Sequence, residues 1–354
     1  MFTRNNTRRI MVRHIPIGGG SPVTVQSMTN TDTRNSDMTI RQIRALVSAG
    51  CDMVRIAVPD KEAAKALCEI RRQVDVPLIA DIHFNHELAL RAIDAGVDKL
   101  RINPGNIGSP SRVRKVAQAA AQRGIPIRVG VNAGSLKKEI LIHYGKPTAE
   151  ALVESAVEEV HLLNDMGFYD VCVSIKASSV PDTIKANLIF AEQFNNPIHL
   201  GITEAGTLRY GTIKSACGIG ALLSHGIGDT IRVSLTADPV EEVTTGIAIL
   251  KAMRLRKAGA EVISCPTCGR TEIDVISLAQ EVESRAASIP HSLIIAVMGC
   301  VVNGPGEARE ADYGIAGGKG VGLVFRKGEV VSKVPEVELV DTLFALIEQD
   351  SRNI

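Results

Sequence analysis

The chain has 354 residues, and its 40 Lys and Arg against 39 Asp and Glu leave a formal net charge of +1, so no broad basic field draws in nucleic acid. Aromatic residues make up 3% and Trp is absent, which leaves few platforms for stacking single-stranded bases. The apolar share of 45% supports a large core, yet no run approaches the ~18–20 apolar residues of a membrane span, and the Arg-containing first 20 residues lack the apolar stretch of a secretory signal.

From Val23 to Ala258 one pattern recurs roughly every 25–30 residues. A short β-branched run is followed by a loop and then an amphipathic helical segment. The runs are Val23–Met28, Met53–Val58, Leu78–Phe84, Lys99–Pro104, Ile127–Asn132, Asp170–Lys176, Ile198–Glu204 and Thr230–Leu235. The joins echo one another: Ala49-Gly50-Cys51-Asp52-Met53-Val54-Arg55-Ile56 matches Ala95-Gly96-Val97-Asp98-Lys99-Leu100-Arg101-Ile102. Eight alternations with short loops predict an α/β fold, a (β/α)8 TIM-type barrel. A doubly wound sheet is the alternative, but no Gly-x-Gly-x-x-Gly turn follows the first run.

After Gly259 the rhythm changes. Short runs at Glu261–Ser264, Ser292–Met298, Tyr313–Ala316, Gly320–Phe325 and Glu329–Ser332 alternate with helical segments at Thr271–Ala287 and Pro335–Gln349. This predicts a small α+β domain over 259–354 behind a barrel domain over 1–258, with the join inside Arg254–Ala260. The Gly317–Gly322 stretch lacks the Lys-Ser/Thr ending of a phosphate loop and reads as a hairpin turn.

Residues i and i+2 of a strand share a face. Near the C-terminal ends of the barrel runs that spacing pairs Asp81 with His83, Arg101 with Asn103, Ser174 with Lys176, and Arg232 with Ser234. Arg128 and Asn132 also share a face, while Arg55 and Glu204 stand alone on their runs. Barrel active sites gather at this end. Arg55, Arg101, Arg128, Lys176 and Arg232 against Asp81 and Glu204 imply an anionic ligand such as a diphosphate, since Arg meets phosphate oxygens bidentately. The Asn103-Pro104-Gly105-Asn106-Ile107-Gly108 turn is a weaker phosphate-binding signal.

The seven cysteines fall into two groups. Cys51, Cys68, Cys172 and Cys217 lie in apolar patterns and read as small packed residues. Cys265 and Cys268 form a Cys-x-x-Cys turn, Cys300 ends a buried strand, and Glu307 follows seven residues later. Three cysteines do not close a structural zinc site, which takes four ligands. Three thiolates with one weaker position fit an iron–sulfur cluster that reacts with a substrate. Zinc completed by His291 and a redox disulfide remain as alternatives. An odd cysteine count in an unsecreted chain points to a reducing compartment, the cytoplasm.

Five segments together resemble the 4-hydroxy-3-methylbut-2-enyl diphosphate synthase family: Cys265-Pro-Thr-Cys-Gly-Arg, Gly299-Cys-Val-Val-Asn-Gly-Pro-Gly-Glu307, Ser27-Met-Thr-Asn-Thr-Asp-Thr-Arg34, Ala80-Asp-Ile-His-Phe84 and Asn103-Pro-Gly-Asn-Ile-Gly108. The resemblance covers essentially the whole chain and matches the bacterial two-domain form. It implies reductive ring opening and dehydration of 2-C-methyl-D-erythritol 2,4-cyclodiphosphate to (E)-4-hydroxy-3-methylbut-2-enyl diphosphate. It implies a [4Fe–4S] cluster on Cys265, Cys268 and Cys300, with Glu307 as a replaceable fourth ligand, and flavodoxin or ferredoxin as electron donor. It also implies a homodimer whose active site is shared between subunits. Glu204 is then a candidate proton donor or hydroxyl positioner. The competing function is a non-redox, phosphate-binding barrel transferase with a zinc-stabilised tail.

Overall fold

The computed structural model describes residues 4, 6–257, 259–300, 310–318 and 320–352. They form two compact units, Met1–Arg256 and Lys257–Ile354.

The first unit begins with a hairpin the sequence pattern did not reveal, β1 (Ile10–Val12) against β2 (Ile15–Ile17). Eight parallel strands follow: β3 (Thr24–Met28), β4 (Met53–Ala57), β5 (Leu78–Asp81), β6 (Lys99–Ile102), β7 (Ile127–Asn132), β8 (Val171–Lys176), β9 (His199–Leu200) and β10 (Thr230–Ile231). Each falls inside one of the eight expected runs. Their order is β8-β7-β6-β5-β4-β3-β10-β9. A parallel bridge between Val173 and Ile198 joins the two ends, with Val173 N–H donating to Pro197 O at 2.8 Å. The sheet thus closes into a barrel.

Strand alternation sorts the side chains. Val25, Val54, Ile56, Leu78, Ala80, Leu100, Ile102, Val129, Val173 and Ile175 pack outward into the main core against the surrounding helices. The intervening positions point into the barrel and are mostly polar. At the N-terminal end of the strands, Ile10, Val12 and Ile17 of the hairpin pack on Met53, Ile79 and Cys172 and plug the floor. The helices start where the sequence supplies caps: Asn35 accepts from Met38 N–H, Asp60 from Ala63 N–H and Thr148 from Ala151 N–H.

The second unit has a five-stranded sheet in the order β11 (Ala260–Ser264), β12 (Leu293–Met298), β13 (Tyr313–Ala316), β14 (Gly322–Arg326), β15 (Glu329–Val334). The first three strands are parallel and the last two antiparallel. The helices Val275–Ala286 and Leu339–Ser351 cover one face through Val282, Leu339, Leu343 and Ile347. The first begins later than expected at Thr271. Asp274 caps it by accepting from Ser277 N–H at 3.1 Å, and Cys268 to Thr271 instead form a turn. The last begins after a 3-10 turn at Glu336–Glu338.

Candidate active site

A cavity of about 260 Å³ opens at the C-terminal end of the barrel strands. Arg55, Asp81, His83, Arg101, Arg128, Asn132, Ser174, Lys176, Arg232 and Ser234 all line it. They come from six of the eight strand runs, so the i, i+2 pairs of separate strands are brought to one place by barrel closure. Gly130, Val131 and Thr203 complete the lining.

Asp81 organises one side. Its Oδ1 lies 3.3 Å from Arg101 Nη1, and its Oδ2 lies 3.3 Å from His83 Nε2 and 3.9 Å from Arg55 Nε. Burial raises the Asp81 carboxyl, but Arg55, the His83 hydrogen bond and Arg101 outweigh it and hold the group well below the usual carboxylate range. Arg101 Nη2 also donates to Gly130 O at 3.4 Å. A Cβ at residue 130 would stand 2.7 Å from Arg101 Nε, so glycine there lets the guanidinium lie flat over the strand.

The other side holds more positive charge than partners. Arg128 is buried, donates to Gln26 Oε1 at 3.3 Å and leaves its Nε without a partner among the described residues. Burial and Arg101 push the Arg128 guanidinium down to about 10, where it is still charged. Burial, then the neighbouring Arg128, Arg232, Arg55 and Arg101, push the Lys176 amine well below its ordinary value. Lys176 reaches across Gly201, where a Cβ would meet its Nζ at 2.5 Å. Arg232 is held from beneath by Glu242 of the helix Pro239–Ala252, at 3.2 Å. Five cations thus surround a small cavity whose lining carries one carboxylate, Asp81. An anion with two phosphate groups would relieve their mutual repulsion.

Two expected residues are placed differently. Asn103 is buried directly after β6 and is not among the lining residues. Glu204 is exposed, also outside the lining, and has φ of 52°, a left-handed conformation uncommon for a non-glycine residue. Thr203 takes the lining position that Glu204 was expected to fill. Alternation within the Ile198–Glu204 run carried the signal, because His199, Gly201 and Thr203 share the inward face. Glu242 was missed because it sits on a helix and reaches the barrel interior from outside.

In the second unit, β11 and β12 are adjacent parallel strands, so the residues that follow their C-terminal ends meet. Cys265 N–H donates to Val297 O at 3.2 Å, and Gly299 N–H donates to Cys265 Sγ at 3.1 Å. Cys300 is the next residue and is buried. The Cys268 turn is tied back by Thr271 N–H to Cys268 O at 3.0 Å and by Glu272 N–H to Gly299 O at 2.9 Å. The Arg270 backbone amide, then its side chain, lower the Cys268 thiol. All three cysteines are free thiols. Among the described residues no three His, Cys, Asp or Glu side chains converge as a metal site, and Glu307 lies outside those residues. The donor chemistry nonetheless suits an iron–sulfur cluster: thiols on one strand-end platform, with a backbone N–H already aimed at a sulfur.

Comparison with known proteins agrees with this architecture. The GcpE TIM-barrel domain model matches residues 7–247, and the GcpE protein C-terminal domain model matches residues 261–349. A protein of Geobacter sulfurreducens named 4-hydroxy-3-methylbut-2-en-1-yl diphosphate synthase (flavodoxin) is 57% identical over 343 residues, covering 97% of both chains. One of the same name from Clostridium acetobutylicum is 59% identical, covering 98% of this chain and 99% of the other. Among solved structures, a Yersinia pestis dihydropteroate synthase superposes with a TM-score of 0.50 over 70% of this chain and 99% of its own. At 15% identity that likeness concerns the barrel fold alone. On two domain matches that span nearly all of its length, and on full-length relatives of one name, the chain belongs to the GcpE family, that of the 4-hydroxy-3-methylbut-2-en-1-yl diphosphate synthases.

Proposed function

We propose that the chain converts 2-C-methyl-D-erythritol 2,4-cyclodiphosphate to (E)-4-hydroxy-3-methylbut-2-enyl diphosphate. Two electrons and two protons enter, the ring opens, and one water leaves. The observation that carries the reading is the cation-lined barrel mouth in a chain related over its full length to enzymes of that name. Arg55, Arg101, Arg128, Lys176 and Arg232 bind the diphosphate, with Asn132, Ser174, Ser234 and Thr203 as neutral hydrogen-bonding partners. Asp81 keeps Arg55, Arg101 and His83 in place. Glu204, the residue after Thr203 of the lining, is the candidate proton donor or hydroxyl positioner.

Cys265, Cys268 and Cys300 are the proposed ligands of a [4Fe–4S] cluster, with Glu307 as the fourth and replaceable one. When bound, such a cluster supplies single electrons and a Lewis-acidic iron. A carboxylate is a harder ligand than thiolate and would be the most readily replaced of the four. Flavodoxin, which the relatives' names carry, is the proposed electron donor. We further propose a homodimer in which the cluster domain of one subunit serves the barrel of the other. The eighth barrel helix, Pro239–Ala252, ends away from the strand C-termini, and the join that follows it is short.

Oxygen-free purification with iron, zinc and acid-labile sulfide analysis tests the cofactor, and turnover of the cyclic diphosphate with reduced flavodoxin tests the reaction. About four irons and four sulfides per chain, the content of one [4Fe–4S] cluster, are expected with turnover. One zinc, no sulfide and no turnover would favour the non-redox transferase. Mixing Cys300→Ser protein with an Arg128→Met variant tests the shared site, since exchanged heterodimers should regain activity.

A further inference from the structure

β3 carries no charged residue, yet its side chains meet three of the five cations that line the mouth. Gln26 and Met28 share its inward face, while Val25 packs outward and Ser27 turns to Glu242. Gln26 Oε1 accepts from Arg128 Nη1 at 3.3 Å. Met28 ends the strand and stands in register with Arg55 of β4, one parallel neighbour. The other neighbour is β10, and Arg232 is the residue that follows it. Met28 therefore sits between arginines from the two adjoining strands. Its Sδ accepts from Arg55 Nε at 3.0 Å and lies 3.9 Å from Arg232 Nη1.

Both guanidiniums also have a carboxylate nearby. Arg232 Nε and Nη2 face Glu242 at 3.3 and 3.2 Å, which leaves Nη1 to the sulfur. Arg55 Nε stands 3.9 Å from Asp81 Oδ2, beyond hydrogen-bond distance. Asp81 is taken up by Arg101 and His83 instead, each at 3.3 Å. Burial pushes the Arg55 guanidinium well below its ordinary value, with Asp81 opposing the fall and Arg232 adding to it. A cation so placed gains from closing onto Asp81, but closure would cancel its charge and draw it off the cavity. Asp81 pulls Arg55 from one side, and Met28 stops it short of contact. A thioether is a weak, polarisable and uncharged acceptor, so it orients an N–H without neutralising it. A carboxylate at residue 28 would cancel the charge that the mouth presents, and an aliphatic side chain would leave the N–H to Asp81. Met28 is half-buried and is not itself in the lining, whereas Arg55 and Arg232 both are.

Resting on the function proposed above, we infer that Met28 is a positioning residue for anion binding. Its sulfur holds Arg55 short of Asp81 and steadies Arg232, so both guanidiniums keep their charge turned to the diphosphate. Met28 touches no reacting atom and acts through the two arginines.

The test uses the full chain and two variants of similar size, Met28→Leu and Met28→Gln. Leu keeps the apolar volume and loses the acceptor, whereas Gln supplies a neutral acceptor again through its Oε1. Binding of inorganic diphosphate, followed by calorimetry, needs no turnover. Met28→Leu should weaken it about fivefold, the loss of one weakly accepted hydrogen bond, and Met28→Gln should stay within about twofold of wild type. In an Asp81→Asn background Met28→Leu should cost less than about twofold, because the competitor for Arg55 has lost its charge. In cluster-loaded protein the loss should fall on KM for the cyclic diphosphate, with kcat little changed. Wild-type affinity in Met28→Leu overturns the inference, as does an equal loss in Met28→Gln or a loss undiminished by Asp81→Asn. A wild-type chain that binds no diphosphate overturns it too. A cluster-loaded wild type that binds diphosphate but does not turn over the cyclic substrate refutes the functional reading alone.

Discussion

Glu242→Ala removes the one carboxylate that supports Arg232 from below. Glu242 is buried in the first turn of the helix Pro239–Ala252. It accepts from Leu235 N–H at 3.0 Å, Ser27 Oγ at 3.3 Å, and Arg232 Nε and Nη2 at 3.3 and 3.2 Å. Those donors belong to β3, to the residue after β10 and to the loop beyond it, so a single side chain ties three segments of the mouth together. Breaking a buried ion pair costs about 3–5 kcal/mol. The Arg232 side chain is 16% exposed and can turn toward water, so the lower end applies, about 3 kcal/mol. Glu242→Gln keeps an oxygen for Leu235 N–H but loses the charge and the second acceptor, which should cost about 1–2 kcal/mol. Urea unfolding followed by circular dichroism measures both. In the Gln variant Arg232 has lost its anionic competitor, so inorganic diphosphate should raise the midpoint more than in wild type. An Ala variant that loses less than about 1 kcal/mol, or a Gln variant as damaged as the Ala one, would refute the clamp.

Three further outcomes follow from the geometry. Gly130→Ala places a methyl 2.7 Å from Arg101 Nε; the guanidinium must leave its place over the strand, and KM for the cyclic diphosphate should rise about tenfold with kcat less affected, while an unchanged KM would show that Arg101 does not hold substrate. Cys300→Ser should abolish iron and sulfide binding while the barrel unfolds at the wild-type urea concentration; retained brown colour would remove Cys300 from the ligand set. Glu159 provides a pH test: its folded value of about 7 stands above the ordinary 4.5 because of burial. The folded state therefore binds the proton more tightly, and this stabilisation, full below about 4.5, is lost as pH rises to about 7. The difference is on the order of 3 kcal/mol. Glu159→Gln should flatten that slope and be more stable than wild type at pH 8 in urea; parallel stability curves for the two proteins would refute it.

The barrel was legible because its rule is local. Outward positions such as Val54, Leu78, Leu100 and Val129 had to be apolar, and the polar i, i+2 residues between them had to face inward. Counting eight such runs was enough to bring Asp81, Arg101, Arg128, Lys176 and Arg232 to one mouth before any coordinates. Contacts made across the grain of that pattern were not legible. Glu242 and Glu159 lie on helices and reach mouth segments more than two residues away in sequence, Glu159 to Gly105 across 54 positions. The hairpin Ile10–Ile17 is too short for periodicity to register, and its role as floor depends on barrel closure. Charge and a place at the end of its run single out Glu204, although alternation puts Thr203 on the inward face and a left-handed residue ends the run.

Two requirements oppose each other inside this barrel, and the strand pleat separates them. Stability comes from the outward faces packed on helices and from the hairpin that closes the floor. Interior positions are thereby released from making an apolar core and can carry charge. That charge is unbalanced, since Arg55, Arg101, Arg128, Lys176 and Arg232 share the lining with Asp81 alone. Each added cation makes the empty mouth less favourable and the anion-filled mouth more so. Of the two buried glutamates among the described residues, only one bears on this imbalance. Glu242 neutralises one cation without entering the cavity, whereas Glu159 neutralises none and shapes a turn. On this reasoning a ligand carrying two phosphates stabilises the barrel more than one carrying a single phosphate. The gain should shrink as salt rises, but only weakly, because buried charges are screened much less than exposed ones.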